Sequence, residues 1–195
     1  MTACLLVPSK KGTSRAISEG DHLEYVDEAL ISEVPGVASA RNDLAYRCKG
    51  PIMVYMDDDY NPGIDTWIYL LSVFPGTVIM TQGRNHPISR AMSLHKKTFY
   101  QLGGFDPRLK NNAEDLDFYL KCKAQNIPVI LIPNEAQAHQ DHARPFNPRS
   151  EYEGALVRHK FKAFTLGYFI QKDPRKAAIR ALAWIYFKIN GVKNE

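Results

Sequence analysis

The stretch Met53–Pro62, MVYMDDDYNP, decides how the chain is read. Ile52 to Met56 is an unbroken apolar run, and Asp57, Asp58 and Asp59 end it abruptly. A short apolar run stopped by turn chemistry, here Tyr60, Asn61, Pro62 and Gly63, reads as a buried strand. The three carboxylates then lie at the carboxyl end of that strand, where open α/β sheets place their ligands. Adjacent aspartates repel one another and call for a cation. Oxygen-only ligands favour a hard ion, Mg²⁺ or Mn²⁺. The plain alternative is an acidic turn with no ligand. An EF-hand loop is excluded: Asp57, Asp59 and Asn61 match its first three ligand positions, but Pro62 stands where glycine is needed and Ile68 where the closing Glu belongs.

Upstream, Val37 to Arg47 has helical spacing, with Val37, Ala40, Leu44 and Ala45 on one face. Pro35-Gly36 opens it and Lys49-Gly50-Pro51 closes it. Ala3 to Val7 reads as a first buried strand ended by Pro8, and Leu23 to Val26 as a second, closed by Asp27 and Glu28. In a doubly wound sheet Pro8 and Asp27 would then lie at neighbouring strand ends, in the crevice expected to take a nucleotide base.

Downstream, Ile64 to Phe74 reads as a helix with apolar Ile64, Ile68 and Leu71, started by Pro62 and stopped by Pro75-Gly76. Thr77 to Thr81 is a strand. Ala91 to Leu94 is short and extended and leads into a helix over Lys96 to Leu102. Gly103-Gly104-Phe105-Asp106 makes a helix stop and turn. Asn112 to Asn126 is a helix whose first turn holds Glu114, Asp115 and Asp117, acids that by themselves suit the helix dipole. Val129 to Ile132 is the next buried strand. Strands alternating with helices predict an α/β sandwich with a mostly parallel sheet.

The 195 residues fit one domain with a small appendage, and 45% hydrophobic residues suffice for a core. The expected division is 1–150 for the α/β domain and 151–195 for a basic, aromatic helical extension. The net charge of +4 does not by itself imply nucleic acid, and no nucleic-acid motif accompanies it. Cys4, Cys48 and Cys122 show no zinc spacing and read as buried thiols in a reducing compartment. With no signal-peptide pattern and no membrane-span length, the expected location is cytoplasmic or membrane-peripheral. In the extension, Pro174 to Asn190 forms an amphipathic helix with Ile179, Leu182, Ile185, Tyr186 and Ile189 as a stripe. That helix either packs on the domain or contacts a membrane surface.

These segments, in this order, resemble the inverting glycosyltransferases of family 2, which have the GT-A (nucleotide-diphospho-sugar transferase) fold. The resemblance rests on Ala40-Arg41-Asn42 in a helix, Gly50, the strand ending in Asp57-Asp58-Asp59, then Leu102-Gly103-Gly104-Phe105-Asp106, Glu114-Asp115, and Val129 to Pro133 followed by His139. It spans roughly residues 37 to 142. The amino-terminal part is compressed, with Val26-Asp27 as the counterpart of the family's acidic strand end, and this suggests a minimal version of archaeal or viral kind.

The resemblance implies transfer of a sugar from a UDP- or GDP-sugar to a glycan, protein or lipid-linked acceptor, with Mn²⁺ or Mg²⁺ bridging the diphosphate. It assigns the metal to Asp57 and Asp59, with Asp59 the direct ligand and Asp57 facing the ribose or the metal's water shell. Asp58 is the spare neighbour beside the donor. His139 is the third metal ligand, with His142 behind it. Asp115 is the general base that deprotonates the acceptor. Arg41, Asn42, Lys10, Lys11 and Arg84 are diphosphate or ribose contacts, and Pro8 and Asp27 flank the base. Two other readings stand beside this one: a sugar-nucleotide nucleotidyltransferase, faintly suggested by Lys11-Gly12-Thr13-Ser14-Arg15, and a binding module of the same fold with no catalysis.

Overall fold

The computed structural model describes residues 2–19, 23–83, 86–109, 113–134, 147–161 and 174–190. Its centre is the strand β3, Ile52–Met56, whose five residues are all buried. Successive side chains point to opposite faces of the sheet. Met53 and Tyr55 join the core on one face, and Ile52, Val54 and Met56 join the core on the other. A strand covered on both faces has no polar side to alternate with, so it reads as an unbroken apolar run.

Five further strands flank it. β1 (Ala3–Pro8) lies parallel to β3, and β2 (Glu28–Ser32) lies parallel to β1. On the other side β5 (Ile88–His95) is antiparallel to β3, β4 (Val78–Thr81) is antiparallel to β5, and β6 (Val129–Ile132) is parallel to β4. The order is β2-β1-β3-β5-β4-β6. Only β5 runs against the rest. The fold class expected from the sequence, a mostly parallel sheet between helices, is the one observed.

Helices cover both faces. α1 (Arg15–Ser18) and α3 (Ile64–Leu71) cover one, through Ala16, Trp67 and Leu70. α2 (Val37–Arg47), α4 (Lys96–Gln101) and α5 (Glu114–Ala124) cover the other, through Ala38, Leu44, Phe99, Phe118 and Cys122. Phe105 and Phe118 stack at 4.6 Å between centroids, with Tyr55 edge-on to Phe105, a favourable aromatic geometry. α6 (Pro148–Lys160) packs on α5 through Val157 against Leu116 and Leu120, and Lys160 reaches the buried Asp117 at 2.8 Å. α7 (Pro174–Asn190) lies on α6, with Arg180 and Lys176 paired to Glu151 at 3.0 and 3.4 Å. All three cysteines are free and buried.

Three segments differ from the expectation. Leu23 to Val26 is not a strand: Leu23–Tyr25 is a 3₁₀ turn, and β2 begins only at Glu28. The cause is Asp27, whose carboxylate accepts from the Ala3 N–H at 2.8 Å and whose own N–H donates to the Ala3 carbonyl. It fastens the start of β1, so the strand follows it. β5 is twice as long as Ala91 to Leu94, because it pairs along both β3 and β4. α3 is rotated from the Ile64, Ile68, Leu71 face: Trp67 and Leu70 are buried and Ile64 and Ile68 are exposed. The indole of Trp67 buries more apolar area than an isoleucine side chain and wins the contact.

Candidate active site

A cavity of about 790 Å³ opens at the carboxyl ends of β1 and β3. Its floor is built from α2. The Tyr55 hydroxyl on β3 donates to the Arg41 carbonyl at 3.1 Å and pins the helix at this level. Arg41 is 2% exposed. Its guanidinium donates to Asp57 at 3.0 Å and the Ser89 carbonyl at 3.3 Å through one nitrogen, and to Glu114 and Asp115 at 3.2 Å each through the other. It lies 5.2 Å from the centroid of Phe105, which closes the apolar side. One buried cation therefore ties the end of β3 to the start of α5. In a site of effective dielectric about 20, each charge contact near 4 Å is worth about 4 kcal/mol before desolvation is subtracted.

The carboxylates outnumber that cation, and burial raises the pKa of Asp57 and of Glu114. Asp57 is pushed up to about 6 by burial, with Arg41 opposing and Asp115 and Asp59 adding repulsion. Glu114 is pushed up to about 7 by burial and by Asp115, again against Arg41. Asp115 lines the cavity and is held by Arg41 and by the Ser89 hydroxyl, which donates to it.

The strand stops at Met56 and the aspartates form a turn, in which the Tyr60 N–H donates to the Asp57 carbonyl at 3.2 Å. Asp57, Asp58 and Asp59 all line the cavity. Asp58 also has a structural task. It accepts from the Ser9 hydroxyl at 2.9 Å, and Ser9 in turn accepts from the Lys11 and Thr13 N–H groups. This shapes the loop after β1, whose Pro8, Lys10 and Lys11 also line the cavity.

Two expected site residues are elsewhere. Asn42 is turned away from the cavity. Its amide donates to the Phe105 carbonyl at 2.9 Å and accepts from the Phe105 N–H at 3.0 Å, so it fastens the Gly103-Gly104-Phe105-Asp106 turn to α2. Both glycines of that turn have positive φ, and a Cβ on Gly104 would stand 3.0 Å from the Asn42 side-chain oxygen and 3.2 Å from the Phe99 ring. Asp27 lies at the amino end of β2, whereas Pro8 pairs with Ser32 at its carboxyl end, so Asp27 is a sheet length from the crevice. Ser32, bonded to Asp43 at 2.7 Å, occupies the cavity at that place. Arg84, His139 and His142 lie outside the described residues.

Ser9, Ser89, Arg90 and His86 escaped the sequence reading. The last three come from the start of β5 or just before it. Because β5 is reversed, its amino end meets the carboxyl ends of its neighbours, and spacing in the sequence does not show that reversal. His86 lines the cavity, and its Nδ1 is buried with no hydrogen-bond partner among the described residues. Burial pushes its pKa down, as does the Arg158 guanidinium of α6, with Asp115 opposing.

Among the described residues no three His, Cys, Asp or Glu side chains stand together as a complete metal cage. The donor set fits the other mode of binding, in which Mg²⁺ or Mn²⁺ takes one or two carboxylates and completes its shell with substrate phosphates and water. Asp57 and Asp59 offer such carboxylates beside an open cavity, and the repulsion among Asp57, Asp59 and Asp115 favours a further cation there.

No protein-family model and no curated protein matches this chain. Solved structures do. A mannosyltransferase from Pyrobaculum calidifontis in complex with GDP-Man and Mn²⁺ is 15% identical, with a TM-score of 0.60 over 97% of this chain and 75% of that one. Glucosyl-3-phosphoglycerate synthase from Mycobacterium tuberculosis, in complex with Mn²⁺, UDP and glucosyl-3-phosphoglycerate, is 14% identical, with a TM-score of 0.63 over 85% of this chain and 82% of that one. A mutant β1,4-galactosyltransferase 7 from Drosophila, in complex with manganese, UDP-Gal and xylobiose, is 14% identical at a TM-score of 0.55, covering 74% and 72%. At these identities the likeness is one of architecture, and what it establishes is that the chain has the GT-A fold.

Proposed function

We propose that the chain is a divalent-metal-dependent glycosyltransferase that moves a sugar from a UDP- or GDP-sugar to a hydroxyl acceptor with inversion. One observation carries the reading: Arg41 joins the aspartates after β3 and the Glu114-Asp115 pair of α5 into one cavity wall. A structural acidic turn and a helix-dipole pair have no need of a shared buried counter-ion. The complexes of the similar structures with nucleotide sugars and Mn²⁺ support the same reading.

The chain's own residues divide the work as follows. The nucleoside lies in the crevice between the ends of β1 and β2, against Pro8, Ser32 and Val37. Lys10 and Lys11 on the rim meet the diphosphate oxygens. Asp57 and Asp59 would hold the metal, and the chemistry it would supply there is Lewis-acid stabilisation of the diphosphate leaving group. Asp115 takes the proton from the acceptor hydroxyl as that oxygen bonds to the anomeric carbon and the bond to the diphosphate breaks. A single displacement from the opposite face inverts the centre. Ser89 and Arg41 hold the Asp115 carboxylate in place for that step.

The test is calorimetric titration of UDP- and GDP-sugars with and without Mn²⁺. Binding of one donor class that needs the ion is expected. No binding of any of them would sink the reading.

A further inference from the structure

The helix α7 presents an apolar stripe to solvent. Ala178, Ala181, Leu182 and Ile185 are exposed, Leu182 by 63% and Ile185 by 45%. They recur at i, i+3, i+4 and i+7, which is one face of a helix. The charges of the opposite side are used inward: Lys176 and Arg180 reach across to Glu151 of α6. A surface helix of a globular domain does the reverse, turning its apolar stripe to the core and its charges to water. The arrangement here needs an occupant outside the described fold.

Charge selects the occupant. Residues 148–195 hold ten Lys and Arg against four Asp and Glu, whereas residues 1–147 hold fifteen against seventeen, so the whole net positive charge lies in this part of the chain. No Asp or Glu lies between Pro174 and Asn190. A second copy of the same basic helix would bring like charges together. An anionic surface would not. A lipid surface also has the depth for the stripe, since an amphipathic helix lying in the interface buries its apolar face in the headgroup and acyl boundary. The 17 residues of α7 are too few and too charged to cross a membrane, and no described helix is long and apolar enough to do so.

We infer that α7 is a peripheral docking element that seats the protein on an anionic lipid surface through the Ala178–Leu182–Ile185 stripe. This stands apart from the transfer reading, because docking needs neither donor nor acceptor. The test is co-sedimentation of the full chain with vesicles of phosphatidylcholine alone and of phosphatidylcholine mixed with phosphatidylglycerol. The chain is expected to bind the mixed vesicles about tenfold better than the neutral ones, and to be released as salt rises. Leu182→Glu/Ile185→Glu should lower the bound fraction about tenfold with the far-ultraviolet circular dichroism unchanged. Leu182→Ser/Ile185→Ser, which adds no charge, should give the same direction. The inference is overturned if the mixed vesicles fail to bind the chain, or if both paired variants bind as well as the parent. It is also overturned if sedimentation velocity shows a dimer that the paired substitutions dissolve, which would assign the stripe to a second copy.

Discussion

At the scale of single residues, the site is governed by one guanidinium shared among three carboxylates. Removing a carboxylate therefore does not act as the loss of one salt bridge would. Glu114 is the most enclosed of the three, and its folded pKa of about 7 lies above the ordinary 4.5 because burial disfavours its anion. The folded state holds this proton more tightly than the unfolded chain does. The stability it contributes is complete below about pH 4.5 and is lost as pH rises through about 7. Glu114→Gln cannot lose that proton. It should match the parent near pH 4.5 and exceed it at pH 8 by on the order of 1–3 kcal/mol in urea unfolding. A gap that widens toward acid would refute the assignment. Asp115→Asn tests the adjacent position differently. Loss of a general base costs about 10²–10⁴ in kcat, while donor affinity, which the proposed reading sets at Lys10, Lys11 and the aspartate turn, should stay within about threefold of the parent. An equal loss of donor affinity would place Asp115 in donor binding instead.

At the scale of elements, what was legible in the sequence was local. The apolar run of β3, the turn after it, α2 between its Gly36 and Lys49 flanks, and the acidic start of α5 are each fixed by a short window of residues. What was not legible depends on partners far along the chain. Asp27 reads as a strand end because apolar residues precede it, yet its carboxylate and its N–H, both bonded to the Ala3 backbone, make it a strand start. The reversal of β5 brought Ser89, Arg90 and His86 to the site from a stretch whose spacing carries no mark of it. Asn42 is the sharpest case, since the sequence places it beside Arg41 and only the fold shows that consecutive helix residues face different things. Asn42→Ala leaves the Phe105 N–H and carbonyl without their partners, at a cost of about 1–3 kcal/mol for each buried group left unsatisfied. It should lower the urea midpoint and leave the donor dissociation constant unchanged. The converse, unchanged stability with weakened donor binding, would return Asn42 to the site.

At the scale of the molecule, one face of the sheet holds all three thiols in a single core. Cys4 enters it from β1, Cys48 from the end of α2 and Cys122 from α5. These elements are far apart in sequence and sit at different places along the sheet order. If the core opens as a unit, the thiols become reachable together. Chemistry adds to burial: the Cys48 and Cys122 thiols are both pushed up to about 12 by desolvation, so little thiolate forms at pH 8, and the thiolate is the species that alkylates. Iodoacetamide at that pH should leave the native chain unlabelled and modify all three cysteines in denaturant, as counted by intact mass. Under native conditions over long exposure the three should label at rates within about tenfold of one another, following the global opening equilibrium. A Cys122 that labels far ahead of the others would show that α5 leaves the sheet by itself. The Glu114-Asp115 pair at its start would then be positioned by Arg41 from a helix able to move, and not from a fixed wall of the cavity.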